Sequence, residues 1–144
     1  MNTLKKIRLV TVLTCFVMMP AVIASDSNSS YLQKWKEGLT GSRLTAYTGS
    51  VISLNSSLTV INLCHNGLYN YSKEGSWSVR GQATGSNKSR LTGRWSIKQQ
   101  GAQFYLVYAV QGGESGQFPI YLQNNGRVNI GGVGYVVEKG RAVC

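Results

Sequence analysis

Residues 58–110 read LTVINLCHNGLYNYSKEGSWSVRGQATGSNKSRLTGRWSIKQQGAQFYLVYAV, and this stretch decides the fold of the chain. Its first eight residues are mostly apolar and β-branched, which is typical of a strand. Asn66-Gly67 follows and is a strong hairpin signal, because both central positions of a two-residue turn favour positive φ. We expect the chain to run back over residues 68–79, past a bulge at Gly75.

The second half of the stretch predicts a strand with one dry and one wet face. Apolar residues and glycine alternate with Thr, Arg, Ser and Lys over residues 90–98. This period of two indicates a half-buried strand. Residues 80–89, just before it, are small and polar and contain glycine, which predicts a loop. Residues 103–110 are apolar on both faces and predict a strand in the middle of a sheet.

The chain before this stretch predicts one short helix and one strand. Residues 25–30 form a polar leader that we expect to be disordered. Residues 31–39 carry apolar side chains near one helical face, although Gly38 is a poor residue for a helix interior. We expect this short helix to plug one end of the sheet. A first strand is expected at residues 43–48.

The chain after residue 110 continues as hairpins. Alternating apolar residues predict strands at residues 118–123, 127–130 and 133–138, with a hairpin turn at Asn124-Asn125-Gly126 and a two-residue turn at Gly131-Gly132. About eight strands with short connections predict an all-β fold, an antiparallel up-and-down meander that closes into a lipocalin-like barrel. An open twisted sheet is the alternative, and a Greek-key sandwich comes third because short connections leave little room for crossovers. The barrel domain would span residues 41–144, after the leader and helix of residues 25–40.

The first 24 residues have the pattern of a secretory signal peptide. Lys5, Lys6 and Arg8 precede an apolar run of about 15 residues. Residues of small or moderate size then lead up to Ala24, as is typical just before a cleavage site. The run is shorter than the roughly 20 residues that a membrane-spanning helix needs. We therefore expect cleavage after Ala24 and a periplasmic or secreted protein with no transmembrane segment after cleavage.

The exported part is strongly basic. Of the 15 Lys and Arg residues, 12 remain without residues 1–24, and against 5 acids they give a net charge of +7. Such a charge favours anionic partners, which include lipid head groups, acidic polymers and acidic protein surfaces. Export argues against nucleic acid as the partner, and peripheral contact with a membrane stays open.

Two cysteines, Cys64 and Cys144, remain in the exported part. An even number of cysteines in an exported chain predicts a disulfide. The bridge would close a loop of about 80 residues, which the chain-entropy model values at about 4 kcal/mol.

The chain resembles a group of small, largely uncharacterised exported bacterial proteins. The resemblance rests on Leu-Cys-His-Asn-Gly-Leu-Tyr from Leu63, a Ser/Gly-rich loop, and Gly-Arg-Trp-Ser-Ile from Gly93, and it covers roughly residues 43–137. It implies a lipocalin-like barrel and provides no catalytic residue. The basic loop of this chain departs from the more neutral loops of that group.

The residue types in the sequence do not favour an enzyme or a bound cofactor. The single histidine, His65, is adjacent to Cys64, so the two side chains of a strand would point to opposite faces. The five acids lie in no common pattern, and one His with two oxidised Cys is too few for a usual zinc site. No phosphate-binding glycine loop is present. We therefore predict a non-enzymatic protein without cofactor or metal.

The clearest functional signal is a set of basic residues without an acid among them. Arg94 and Lys98 share the wet face of one strand, and Arg90 continues it. Arginine suits bidentate contact with phosphate or carboxylate, although such residues also serve merely to keep a barrel soluble. The candidate binding residues are Arg80, Lys88, Arg90, Arg94 and Lys98.

The aromatic residues are the second signal. Side chains from Tyr69 to Tyr121 could line a cavity for an apolar ligand, or they could simply fill the core. Three functions follow from these signals. The first is a binding protein for an anionic envelope component or acidic protein surface. The second is an inhibitor or immunity-type protein that blocks an envelope hydrolase or toxin. The third is a carrier of a small apolar ligand in the barrel.

Overall fold

The computed structural model describes residues 26–49, 55–79 and 83–144. One helix precedes eight strands. Their bounds are α1 Asp26–Leu39, β1 Ser42–Thr48, β2 Ser56–Leu63, β3 Leu68–Val79, β4 Ala83–Gln100, β5 Gln103–Val110, β6 Ser115–Leu122, β7 Val128–Ile130 and β8 Val133–Glu138. The predicted signal peptide (residues 1–24) and Arg80 lie outside the described residues.

The eight strands close into one barrel in sequence order. Every strand pairs antiparallel with its neighbour in the chain, and β1 closes the ring against β8, with Leu44 opposite Val137. The predicted up-and-down meander barrel with one N-terminal helix is therefore confirmed. The strand predicted for the middle of the sheet, β5, pairs on both sides.

The predicted turns are present, but one of them has a different geometry. Gly67 has φ of 76°, and no other residue type among those described has positive φ. The Gly67 N–H donates to the Cys64 carbonyl at 3.2 Å, and the Cys64 N–H donates to the Leu68 carbonyl at 2.8 Å. Residues 65–67 therefore form a three-residue loop in which Gly67 alone has a left-handed conformation. The prediction of a two-residue turn at Asn66-Gly67 was wrong.

The polar leader is helical from its second residue onward. Helix α1 begins at Asp26, so the expected disorder of residues 25–30 was wrong for residues 26–30. Asp and Ser are weak in a helix interior but are favoured at helix starts, where backbone N–H groups lack partners. The composition of this segment therefore fits a first helical turn.

The predicted loop at residues 80–89 is mostly strand. The hairpin β3–β4 extends past the start of the β4–β5 pairing at Gly93, with Lys73 opposite Ser89 and Val79 opposite Ala83. We call this extension the ribbon, and β2 pairs along it as far as Ser76. Gly75 pairs in register with both neighbouring strands, so the expected bulge is also wrong. Residues 86–90 of β4 are exposed at successive positions, so both faces of this part meet water and its sequence lacks the alternation that marks a half-buried strand.

The helix closes one end of the barrel. Leu39 is 2% exposed within the core, and Trp35 packs against Phe104 with ring centroids 6.2 Å apart. The disulfide Cys64–Cys144 is present, as predicted, and a disulfide is typical of an oxidising, extracytoplasmic compartment. It lies at the helix end, where the Ala142 N–H also donates to the Gly41 carbonyl at 3.2 Å.

Candidate functional site

The barrel encloses an apolar cavity of about 310 Å³. Alternate residues of the strands face inward, so each strand supplies side chains at every second position. Six aromatic side chains and seven aliphatic ones line the space. They are Tyr69, Tyr71, Trp95, Tyr108, Phe118 and Tyr135, with Ile61, Leu63, Leu91, Leu106, Val110, Ile130 and Val133.

The cavity reaches the barrel end opposite the helix. Helix α1 leads into the start of β1, and the Gly41 N–H donates to the Leu63 carbonyl at the end of β2. Val110 ends β5, Val133 begins β8, and Gly131 lies in the turn before it, so these three lining residues belong to the other end. A ligand would therefore enter away from the helix.

Three aromatic side chains of the cavity wall make specific contacts. The Trp95 Nε1–H donates to the Cys64 carbonyl at 3.2 Å, which satisfies the one polar group of the indole. Tyr108 and Phe118 stack with centroids 5.2 Å apart and planes 11° from parallel. The stacked pair gives the cavity wall a flat aromatic surface on this side.

Tyrosine hydroxyls add hydrogen-bonding groups to the apolar wall. Burial raises the pKa of Tyr69, and the neighbouring Tyr108 adds to the rise. Burial likewise raises the pKa of Tyr135, with a smaller contribution from Tyr71. Both phenols are therefore protonated at neutral pH and able to donate to an acceptor on a ligand.

The inner wall becomes polar beyond the cavity. Ile61, Tyr71 and Leu91 lie side by side across three strands and line the cavity. The next inward set consists of Thr59, Lys73 and Ser89, paired in the same way. The set after that is Ser57, Gly75 and Asn87. We call these two sets together the polar collar.

The predicted basic residues form a strip on the outside of the barrel. Lys88, Arg90, Arg94 and Lys98 are exposed and occupy alternate positions of β4, on the face that points away from the cavity. Ten residues separate the first from the last, which spans about 33 Å along a strand. The structure therefore places four predicted residues on one face, spread over its length, and Arg80 is not described.

One of these four charges is already paired. Lys88 forms an ion pair with Glu74, which lies directly opposite on β3. The hydrogen bond from Lys88 lowers the pKa of Glu74, the charge of Lys88 lowers it further, and Arg90 makes a smaller contribution in the same direction. Among the described residues, no acid forms a salt bridge with Arg90, Arg94 or Lys98.

The predicted aromatic residues divide among several places. Tyr69, Tyr71, Trp95, Tyr108 and Phe118 line the cavity. Phe104 packs on the helix, whereas Tyr105 and Tyr121 lie at outward positions. Sequence reasoning missed Tyr135, although its alternation with Val133 and Val137 marks it as inward.

No metal-binding cluster occurs among residues 26–49, 55–79 and 83–144. His65 is exposed and lies against Gly41, and its neighbour Cys64 is in the disulfide. No group of three or more His, Cys, Asp and Glu residues comes together in this part of the chain. Within it, the single helix is also too short and too polar to cross a bilayer.

Comparison of the chain with protein-family models, with curated proteins and with solved structures found no match. The geometry of the barrel is therefore the basis for assigning a function.

Proposed function

We propose that this protein is a non-enzymatic binding protein that carries a small apolar ligand inside its barrel. The observation that supports the proposal is the apolar cavity of about 310 Å³. Ligand sites in proteins are commonly concave, largely apolar and about 300–1,000 Å³ in volume, with a few polar groups that orient the ligand. The cavity lies at the lower end of this range, and tyrosine hydroxyls supply the polar groups.

The energetics favour an apolar occupant. Transfer of apolar surface out of water contributes roughly 25 cal/mol per Å². A ligand that buries about 250 Å² would therefore gain about 6 kcal/mol, which corresponds to a Kd of about 40 μM before the entropic cost of binding and to a weaker affinity after it. The stacked pair Tyr108 and Phe118 offers a flat face against which a chain or ring can pack.

The proposal is tested with the neutral fluorescent probe N-phenyl-1-naphthylamine, added to oxidised protein of residues 25–144. We expect saturable binding of one probe and its displacement by 1-decanol. Val133→Phe would fill part of the cavity, because Val133 lines it. We expect this variant to lose about tenfold or more in affinity, which corresponds to about 1.4 kcal/mol.

Val136→Phe is the matched control. Val136 is on the same strand but is 46% exposed on the outer face, so the variant should bind the probe as the wild type does. Thermal unfolding would show that both variants fold. The absence of saturable binding, or equal loss in both variants, would rule out the barrel interior as the binding site.

We further propose that the protein is exported and works in the periplasm or outside the cell, as a member of the exported group that it resembles. The signal-peptide pattern of residues 1–24 supports this, together with the disulfide Cys64–Cys144. Expression of the full chain with export machinery, followed by mass measurement, should give a product that begins at Ser25. A product retaining residue 1 in the cytoplasm would contradict export.

A second function is favoured by the basic strip. Arg90, Arg94 and Lys98 are exposed, aligned and without a salt-bridge partner among the described residues. Such a strip suits an anionic envelope component or an acidic protein surface. An inhibitor or immunity-type protein would instead use the ribbon next to the strip against one protein target.

A pull-down from envelope extract with a salt gradient tests this second function. The double variant Arg90→Glu/Arg94→Glu should lose an anionic lipid or polysaccharide that elutes at modest salt, because exposed charges are screened. A single protein that survives high salt and is retained by the variant would favour the inhibitor. Retention of nothing by the wild type would eliminate the strip as a binding surface.

A further inference from the structure

The inner wall of the barrel has two zones of different chemistry, which follow one another along the strands. The set Ile61, Tyr71 and Leu91 lines the apolar cavity, and the polar collar begins at the very next inward set. A groove over this collar is lined by Thr48, Ser57, Lys73 and Asn87, among others. A molecule that fills both zones must have an apolar part and a polar end.

Lys73 gives the collar a single charge. At the inward positions of the eight strands that the structure describes, Lys73 is the one charged residue. Its ammonium takes part in no salt bridge among the described residues, and the nearby Glu74 lies on the outer face, paired with Lys88. Lys73 follows Tyr71 by two residues, which is about 7 Å along the strand. Its side chain can therefore reach the end of a ligand held in the cavity.

The volume of the cavity limits the length of the apolar part. A water molecule occupies about 30 Å³ in the liquid, so 310 Å³ holds about ten atoms of this size. A chain of about ten carbons fills this space, with its terminal group in the collar.

We propose that the ligand is a medium-chain amphiphile with a carboxylate head, and that Lys73 binds the head at the mouth of the barrel. This inference rests on the proposed function, because it names the ligand class for the same cavity. A carboxylate accepts charge-assisted hydrogen bonds from an ammonium, and these are stronger than bonds between neutral groups. An uncharged head of the same length would leave Lys73 without its counter-charge.

The test compares decanoate with 1-decanol, each displacing N-phenyl-1-naphthylamine from oxidised protein of residues 25–144. Decanoate should bind about five- to tenfold more tightly than 1-decanol, the gain expected for one partly solvated charged hydrogen bond. Lys73→Met should abolish this preference and leave binding of 1-decanol within about twofold, which also shows that the variant is folded.

Lys98→Met is the matched control, since it removes the same charge from the outer face of β4. It should keep the preference for decanoate. The proposal is overturned if the wild type binds both compounds equally, if Lys73→Met keeps the preference, or if Lys98→Met loses it too. Equal binding of both compounds refutes only the carboxylate head, whereas failure of both compounds to bind refutes the apolar carrier as well.

Discussion

Tyr135 shows how one inward residue connects the cavity to the stability of the barrel. Its side chain is 7% exposed, lines the cavity and takes part in the hydrophobic core. Burial raises the pKa of the Tyr135 phenol above its ordinary value of 10.0, and Tyr71 adds to the rise. The cavity is therefore apolar enough to disfavour a phenolate in its wall.

This shift predicts a specific loss of stability in alkali. A group whose folded pKa is raised contributes stability that is fully present below its unfolded pKa and is lost as pH rises through the folded pKa. The free energy of unfolding should therefore fall above pH 10 more steeply in the wild type than in Tyr135→Phe. Denaturant unfolding at pH 8 to 11 measures this. Tyr121→Phe, at an outward position, should follow the wild type, and identical slopes in all three proteins would contradict the prediction.

Gly93 is a position where the backbone leaves no room for a side chain. A Cβ atom there would lie 2.0 Å from the carbonyl oxygen of Ala109, the partner of the next residue, Arg94. Pairing between β4 and β5 begins at Gly93, so this is where β4 leaves the ribbon and joins the closed barrel.

We expect Gly93→Ala to lower the free energy of unfolding by about 1–3 kcal/mol, the range typical of overpacking. Gly38→Ala makes the same change in helix α1, where nothing lies within 4 Å of the added Cβ. That variant should instead stabilise the protein by up to about 1 kcal/mol through helix propensity. Urea unfolding of both variants checks the opposite signs, and equal effects would refute the steric argument.

At the scale of elements, the ribbon formed by β3 and β4 differs from the rest of the sheet. No described strand pairs with β4 on its second side before Gly93, whereas β4 pairs with both β3 and β5 at Gly93 and Arg94 and with β5 alone from Trp95 onward. Every second backbone N–H of residues 83–91 therefore points to solvent.

Amide hydrogen exchange should show this difference. Residues 84–91 should alternate between protected and fast-exchanging amides, because only the amides directed at β3 are bonded. Residues 104–109 of β5 should be protected at every position, since they pair with both β4 and β6 and Leu106 is buried in the core. Measurement by NMR at neutral pH resolves single residues. Uniform protection of residues 84–91 would mean that another strand covers this edge.

The predictability of each element follows from how much of it is buried. Residues 90–98 were predicted as a strand because one face is dry and the other wet. The ribbon was mistaken for a loop because water reaches both of its faces. The inward aromatic residues could be predicted from alternation, but not the space between them, which depends on how eight strands close together. The ion pair between Glu74 and Lys88 could not be predicted, because it depends on the register of β3 against β4, which the local sequence does not determine.

For the molecule as a whole, the disulfide joins the C-terminal tail to the end of β2 over a sequence separation of 80. The tail is also bound by side chains on two neighbouring strands. Asn62 Oδ1 accepts from the Val143 N–H at 3.0 Å, and Asn70 Nδ2 donates to the Val143 carbonyl at 3.1 Å. These contacts fix the tail over the helix end of the barrel.

Removal of the bridge should be costly. The chain-entropy model values the closure of a loop this long at about 4 kcal/mol, so Cys144→Ser should lower the free energy of unfolding by about that amount. Addition of a reductant should destabilise the wild type similarly and have no effect on the variant. The mouth of the proposed ligand cavity lies at the opposite end of the barrel, so we expect ligand binding to persist in the folded variant. A change below about 1 kcal/mol would contradict the entropic estimate.

The free edge of β4 also has a consequence for how copies of the protein behave at high concentration. Two copies that met along residues 83–91 could extend each other's sheet, as the first step of a fibre or precipitate. That segment contains Lys88 and Arg90 and no acid, so antiparallel contact would bring like charges together. Repulsion of this kind acts over about 10 Å at 0.1 M salt and weakens as salt is added. Concentrated solutions should therefore remain clear at low ionic strength and become turbid in strong brine.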